Sequence, residues 1–353
     1  MSNLVGTVRR DFDDESALAN ELPGYARRDE QIALAGEIAS AFEQKNMLLA
    51  EAETGTGKTL AYLIPALRST DKVLISTHTR SLQDQLVHRD LPAVQKALGV
   101  RRRVALLKGR SNYLCPQQLR RSASAAQLEI WQKKSLLKVL EWSQTSSDGD
   151  LSGLNFDVFA KGIGHMVTTT VDQCLGSKCG DFEECPLMKA RQKAQVADIV
   201  VTNHSLLLAD AALKSGEYGE ILPGFDVYVI DEAHSLPELA CQHFGIQLTR
   251  LTLIQWLNDM QALLDEMGDE PTLKQETILL GRELLDAWQK ADLEAVEEHW
   301  RQMMKLAESR RERSEDLARM ADRAEQIVAE IVMVRKPAEG FVGWRDGDAD
   351  NRR

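Results

Sequence analysis

No apolar run in this chain approaches the roughly 18–20 residues that a membrane-spanning helix needs. The opening "MSNLVGTVRRDFDDE" lacks the apolar centre of a secretory signal. Both absences point to the cytoplasm, where thiols stay reduced. The five cysteines are then metal ligands, catalytic groups or core fillers rather than a disulfide framework. Positive charge is also scarce: 43 Lys and Arg stand against 54 Asp and Glu, a formal net charge of −11. That excludes a protein that coats nucleic acid by bulk charge, but leaves room for a local basic track. Arg101, Arg102, Arg103, Lys108 and Arg110 cluster, followed by Arg120, Arg121, Lys133, Lys134, Lys189, Arg191 and Lys193. A solvated surface is the plainer reading of any one cluster. There is no internal repeat. The 353 residues are too many for one small domain, and an apolar share of 43% is that of a globular protein.

Short apolar runs alternate with helical patterns over the first 110 residues. The runs are "MLLA" (47–50), "VLIS" (73–76) and "VALL" (104–107), with a helix from Leu60 to Leu67. "IVVT" (199–202) and "VYVI" (227–230) resume the pattern as bare apolar runs, the mark of strands buried on both faces. This predicts an α/β fold with a parallel sheet. Residues 111–194 differ in texture. They hold most of the cysteines, one helical stretch from Leu128 to Leu140 and the polar loop "SQTSSDGDLSG", and read as an insertion with little apolar material of its own. From 246 onward, Leu253, Leu257, Met260 and Leu264, then Leu317, Met320, Ala324, Ile327 and Ile331, fall at helical spacing. A helical hairpin or bundle is expected there. Gly268, Pro271 and Gly281 interrupt the pattern too often for a long coiled coil.

"AETGTGKT" (52–59) follows the run "MLLA" and precedes the helical "LAYLIPAL". That is the setting of a phosphate-binding loop. Gly55 and Gly57 let backbone N–H groups curl around phosphate oxygens, helped by the helix N-terminus. Lys58 reaches the β- and γ-phosphates, and the Thr59 hydroxyl is a ligand for Mg²⁺. Glu53, Thr54 and Thr56 complete the loop. Ala52 stands where the strict pattern has glycine. "VYVIDEAH" ends a buried strand in two carboxylates. Asp231 is placed to hold Mg²⁺, and Glu232 to orient and deprotonate a water. A solvated turn is the plain alternative, and His234 taken alone reads as structural.

Four cysteines have the spacing Cys115-x58-Cys174-x4-Cys179-x5-Cys185. By ligand count they suit zinc or an iron–sulfur cluster equally well. The spacing is unlike the paired CxxC knuckles of common zinc folds. Cys115 and Cys185 each precede a proline, as in one cluster-binding signature. Cys241 stands alone and reads as a core thiol.

The phosphate loop together with "DEAH" resembles a superfamily 2 helicase. Four further pieces narrow the resemblance. "RRDEQ" (27–31), with Arg28 and Gln31, resembles the adenine-reading Q-motif. "STHTRSLQDQL" (76–86) resembles the DNA-contacting motif Ia. "KGRSNYLC" (108–115) resembles the entry to an iron–sulfur insertion. "VVTNHSLLLAD" (200–210) resembles the segment before the second ATP motif. Together they are similar to the XPD-like family, in its DinG/YoaA branch, over essentially the whole chain. The resemblance implies a RecA-like motor domain at 1–110 plus 195–245. It implies a [4Fe–4S] domain at 111–194 held by Cys115, Cys174, Cys179 and Cys185, a helical arch at 246–338, and a return segment and frayed tail at 339–353. It further implies ATP as substrate, Mg²⁺, His234 in coupling, and 5′-to-3′ movement on single-stranded or forked DNA. The DNA contacts would come from Thr77, Thr79, Gln83, Lys108, Arg110 and Tyr113. On this reading four metal bonds supply folding energy that the insertion lacks.

After residue 245 no motif of a second motor domain or arginine finger is found. Such an arginine contributes on the order of 10³–10⁵ in rate in related phosphate-loop enzymes, so slow turnover is expected of this chain alone. Two other readings remain. One is a non-catalytic nucleotide- and DNA-binding iron–sulfur protein. The other is a zinc-bearing phosphate-loop ATPase unrelated to DNA.

Overall fold

The computed structural model describes residues 3–13, 17–22, 25–53, 55–124, 128–171, 173–215, 220–246, 248–267 and 271–337. Thr54 and the return segment at 339–353 lie outside the described residues. The chain divides into two units, Met1–His243 and Phe244–Arg353.

The first unit is built on four strands, β1 (Val73–Thr77), β2 (Val104–Leu106), β3 (Ile199–Asn203) and β4 (Val227–Ile230), in the order β2-β3-β1-β4 and all parallel. The alternation of a strand explains why its runs are apolar throughout. Val73, Ile75, Ile199 and Val201 point into one core, with Leu4 and Val8 of the helix Leu4–Asp11, Ala35 and Ala39 of the helix Asp29–Gln44, and Leu63 and Ile64 of the helix Lys58–Arg68. Leu74, Ala105 and Val200 point the other way, onto Ala194, Leu206 and Leu222. Both faces are covered, as the expected α/β class requires. Arg103 clamps β2 to the start of β3 through Asp198, whose carboxyl is held down to about 2 by that guanidinium.

The expected strand at 47–50 is a correction. Residues 46–50 join no strand ladder, and Met47 and Leu49 are 98% and 91% exposed. β propensity expresses fit to a pleated, half-buried surface, and no such surface covers this run. β4 closes the described sheet with Tyr228 half exposed.

The insertion is also better packed than its sequence suggested. Leu114, Leu119, Leu136, Val139, Leu151, Val158, Ile163, Met166 and Val167 form a core of their own, on helices that include Pro116–Ala123 and Ile130–Thr145. These apolar positions are scattered over more than fifty residues, so no local window reveals them.

In the second unit the helices Arg250–Met267, Pro271–Gln289, Leu293–Glu308 and Glu315–Arg335 pack each on the next and the last on the first, as a four-helix bundle. Pro271 opens its helix, where its missing N–H costs nothing. Gly281 does not interrupt the pattern as expected. A Cβ there would lie 3.1 Å from Leu257, so glycine permits a close helix–helix approach. Asp292 and Ser314 cap the last two helices through Ala295 N and Leu317 N. The indoles of Trp256 and Trp300 meet edge to face at 5.1 Å, and their N–H groups donate to Met320 O and Ala324 O, both at 3.0 Å. Among the described residues no helix is long and apolar enough to cross a membrane.

Trp300 is wholly buried at the bundle centre. Trp300→Ala is therefore expected to lower stability by about 3–5 kcal/mol, read as an earlier urea transition followed by helical circular dichroism.

Candidate nucleotide site and cysteine cavity

Gly55 and Gly57 turn the chain into the helix Lys58–Arg68 with φ of 89° and 83°, a region that favours glycine. A Cβ at Gly57 would also press on the Gln31 amide, which would have to move aside. Gln31, buried on the helix Asp29–Gln44, donates that amide to Gly57 O at 2.7 Å, and Arg28 donates to Gly55 O. The two residues expected to read a base thus also hold the loop's carbonyls. Lys58 Nζ donates to Ala52 O at 2.8 Å, and Thr56 Oγ1 to Glu53 O at 2.9 Å.

β4 delivers the acidic pair to the same place. Asp231 N donates to Ser76 O at 2.9 Å, which extends the β1–β4 ladder by one bond and fixes the carboxylate at the sheet's C-terminal edge. Tyr62, one turn past Lys58, donates its hydroxyl to Asp231 Oδ2 at 3.1 Å. Burial, and then the charge of Asp231, hold the phenol well above its ordinary range, while the Thr59 side chain, also beside it, pulls the other way. Burial likewise raises the Asp231 carboxyl, with Glu232 adding to the rise and the Tyr62 hydroxyl and Lys58 opposing it. Glu232 sits at φ 56°, uncommon for a side-chain-bearing residue, and its carbonyl accepts from Ser235 N and Oγ. Its carboxylate lies 3.3 Å from Nδ1 of the exposed His234. Thr59 and Asp231 therefore flank one phenol, and with Lys58 they fit a magnesium–nucleotide site, in which water and phosphate complete the ion's oxygen shell. Tyr62 is a site residue the sequence reading missed. Its only signal was the position one turn after the loop lysine.

The four clustered cysteines line one cavity of about 130 Å³, with Arg110, Tyr113 and Arg191 in its wall. A single ion fills far less. Cys115 and Cys185 stand at the N-termini of the helices Pro116–Ala123 and Pro186–Val196, each with proline as the next residue. All five cysteines are free thiols, and Cys241 is exposed rather than the core thiol expected. Burial raises the Cys115 thiol, while the backbone N–H groups of Gln118 and Gln117 oppose the rise. Among the described residues no three His, Cys, Asp or Glu side chains close on one point in a way that could hold a metal ion.

Comparison with known proteins places these features together. Residues 33–159 match the DEAD/DEAH box helicase family and 160–253 the DEAD_2 family. The chain is 43% identical over 266 residues to an ATP-dependent DNA helicase YoaA of Escherichia coli, across 75% of this chain and 42% of that protein. It is 40% identical over 255 residues to a YoaA of Haemophilus influenzae (71% and 40%), and 36% identical over 264 residues to an ATP-dependent helicase DinG of Mycobacterium tuberculosis (67% and 38%). The chain belongs to the DinG/YoaA-like helicases. It spans about two-fifths of the length of these relatives. The parallel sheet, phosphate loop and matching family fit a RecA-like α/β domain.

Four of the six residues expected to contact DNA are buried in this structure. Gln83 and Thr77 are fully buried, and Tyr113 is 4% exposed, its hydroxyl accepting from Lys108 N. Lys108 is 1% exposed. Its Nζ lies 2.7 Å from both Asp84 and Asp150, and 3.2 Å from Ser152 Oγ. A desolvated ammonium needs such partners, so Lys108 ties the helix Arg80–Gln85 to the insertion instead of meeting a phosphate. Arg102 binds Ser69 O and Asp71 O, Arg120 pairs with Asp181, and Lys189 pairs with Glu184, so much of the basic track serves the fold. Thr79 remains exposed as a helix cap, beside exposed His78 and Arg80, and Arg110 is partly exposed.

Lys108→Ala takes the shared cation from the buried Asp150 and the partly exposed Asp84. Its expected cost is about 3–5 kcal/mol in urea unfolding, with part regained in the Lys108→Ala/Asp84→Asn double variant.

Proposed function

We propose that this chain is the nucleotide-binding front portion of an ATP-dependent DNA helicase of repair or replication, moving 5′-to-3′ on single-stranded or forked DNA. The observation that carries the reading is the convergence of the phosphate loop and the DEAH carboxylate on one hydroxyl, that of Tyr62. The names of the relatives, ATP-dependent helicases, support it. Residues 1–110 and 195–245 form the first motor domain, 111–194 the cluster domain and 246–338 the arch.

In this mechanism Lys58 exchanges the Ala52 carbonyl for the β- and γ-phosphate oxygens, and Arg28 and Gln31 brace the loop while facing the base. Mg²⁺, held by Thr59 and Asp231, supplies neutralisation of the phosphate charge. Glu232 orients a water and takes its proton as the water oxygen bonds to the γ-phosphorus and the bond to the bridging oxygen breaks, leaving ADP and phosphate. His234, against the Glu232 carboxylate, carries the change toward DNA. Turnover by this span alone is slow.

Cys115, Cys174, Cys179 and Cys185 hold a [4Fe–4S] cluster in this reading. What supports this reading is that all four thiols line one cavity, the ligand count such a cluster takes. Cys115 and Cys185 open two helices at the cavity, and Arg110 and Arg191 stand in its wall. When bound, the cluster supplies four metal–sulfur bonds that tie the two ends of the insertion together.

With anaerobically purified chain, slow ATP hydrolysis stimulated by single-stranded DNA is expected. It should vanish in Glu232→Gln with ATP still bound, and ATP binding should be lost in Lys58→Ala. Turnover indifferent to DNA would sink the helicase reading, and binding of ATP and DNA without turnover would favour the non-catalytic one. For the cluster, about four irons and four sulfides per chain are expected by chemical analysis. Any one of the four Cys→Ser changes should lower that content, while stoichiometric zinc would refute the assignment.

A further inference from the structure

Between the proposed ATP site and the exposed loop at 78–80 lies a histidine that no step above uses. His204 begins the helix His204–Ser215 directly after β3, and it is wholly buried. Its Nδ1 is 2.7 Å from Ser76 Oγ. Ser76 is also the residue whose carbonyl accepts from Asp231 N, and in register it faces Thr202 on one side and Ile230 on the other. One serine thus joins the imidazole by its side chain and the DEAH backbone by its main chain.

The far nitrogen has no such partner. Among the described residues, His204 Nε2 is buried with nothing at hydrogen-bond distance. Burial pushes the ring below its ordinary pKa and keeps it neutral, while the backbone of Asp231 and of Glu232 draws a proton toward it. In the tautomer whose Nδ1 accepts from the Ser76 hydroxyl, the proton is carried by Nε2, on the ring that the Asp231 and Glu232 backbone influences. A buried N–H without an acceptor is costly, and Glu232 is itself in the left-handed region. His78 is another neighbour, its ring centroid 6.2 Å from that of His204 and its side chain exposed in the loop that follows β1.

We infer that His204 is a positioning residue that couples occupancy of the 78–80 loop by a nucleic-acid strand to the placement of Asp231 and Glu232 by nucleotide. The hydrogen bond from Nε2–H to the 231–232 backbone forms in one state and is open in the other. This rests on the helicase reading above, because it needs both ligands to bind.

The test is the thermodynamic coupling between the two sites. Fluorescence anisotropy gives the Kd of a labelled oligothymidylate with and without a non-hydrolysable ATP analogue and Mg²⁺. In the unaltered chain the analogue is expected to change that Kd about fivefold or more, and in His204→Ala the ratio should fall to about 1 with each separate affinity kept within about twofold. His204→Gln, whose amide N–H reaches the place of Nε2–H, should keep most of the ratio. His204→Asn, which reaches only Ser76, should behave as alanine does. If His204→Ala fails to fold, Ser76→Ala cuts the same link from β1 and should abolish the ratio. Full coupling in His204→Ala, rescue by asparagine but not by glutamine, or an unaltered chain that binds both ligands with no coupling would each overturn the inference alone. An unaltered chain that binds neither ligand would overturn the helicase reading and this inference with it.

Discussion

The hydrogen bond from Asp231 N to Ser76 O is the constraint on which the nucleotide site depends. β1, β3 and β4 run parallel and in register, so Thr77, Asn203 and Asp231 emerge together at one edge of the sheet. Every residue proposed for chemistry is reached from that edge. The helix Lys58–Arg68 packs in the core beneath it and lifts Tyr62 to Asp231, while Arg28 and Gln31 hold the loop that precedes that helix. A slip of one residue in the β1–β4 register would turn Asp231 to the opposite face and separate it from Tyr62 and Thr59.

Charge in this chain is governed by burial more than by sequence neighbourhood. Solvated pairs such as Arg120–Asp181 contribute at most about 1 kcal/mol. Lys108 is different in kind, since an ammonium removed from water must be met by opposite charge, and Asp84 and Asp150 come from two separate parts of the first unit to meet it. That lysine lies in one of the most specific motifs of the sequence, yet its role in the structure is to join. The same physics acts on Asp231 and His204, both pushed toward their neutral forms by burial and both held by hydroxyl groups, those of Tyr62 and Ser76.

The cysteine cavity shows how a fold can assemble a donor set without closing it. Helix starts at Cys115 and Cys185, about seventy residues apart in sequence, face one space together with the loop that carries Cys174 and Cys179. Leu119 anchors the helix after Cys115 in the insertion's own apolar core, while Ala190 and Ala194 pack the helix after Cys185 against the sheet.

The sequence by itself determined the elements whose signal is local. Bare apolar runs became β1 to β4, paired glycines before Lys58 became a left-handed turn into a helix, and apolar residues at helical spacing after 246 became a helical bundle. It also named the groups able to do the chemistry, because Lys, Thr, Asp, Glu and Cys carry their reactivity in their own atoms. Tertiary structure alone decided what each group faces. It left 47–50 outside the sheet because a strand exists only against a partner edge. It buried Gln83, Tyr113 and Lys108 because core formation across distant segments outweighs a motif's local polarity. It also brought Tyr62, Ser76 and His204 to the acidic pair, a juxtaposition across some 170 residues that no spacing rule encodes and that only the register of a parallel sheet creates.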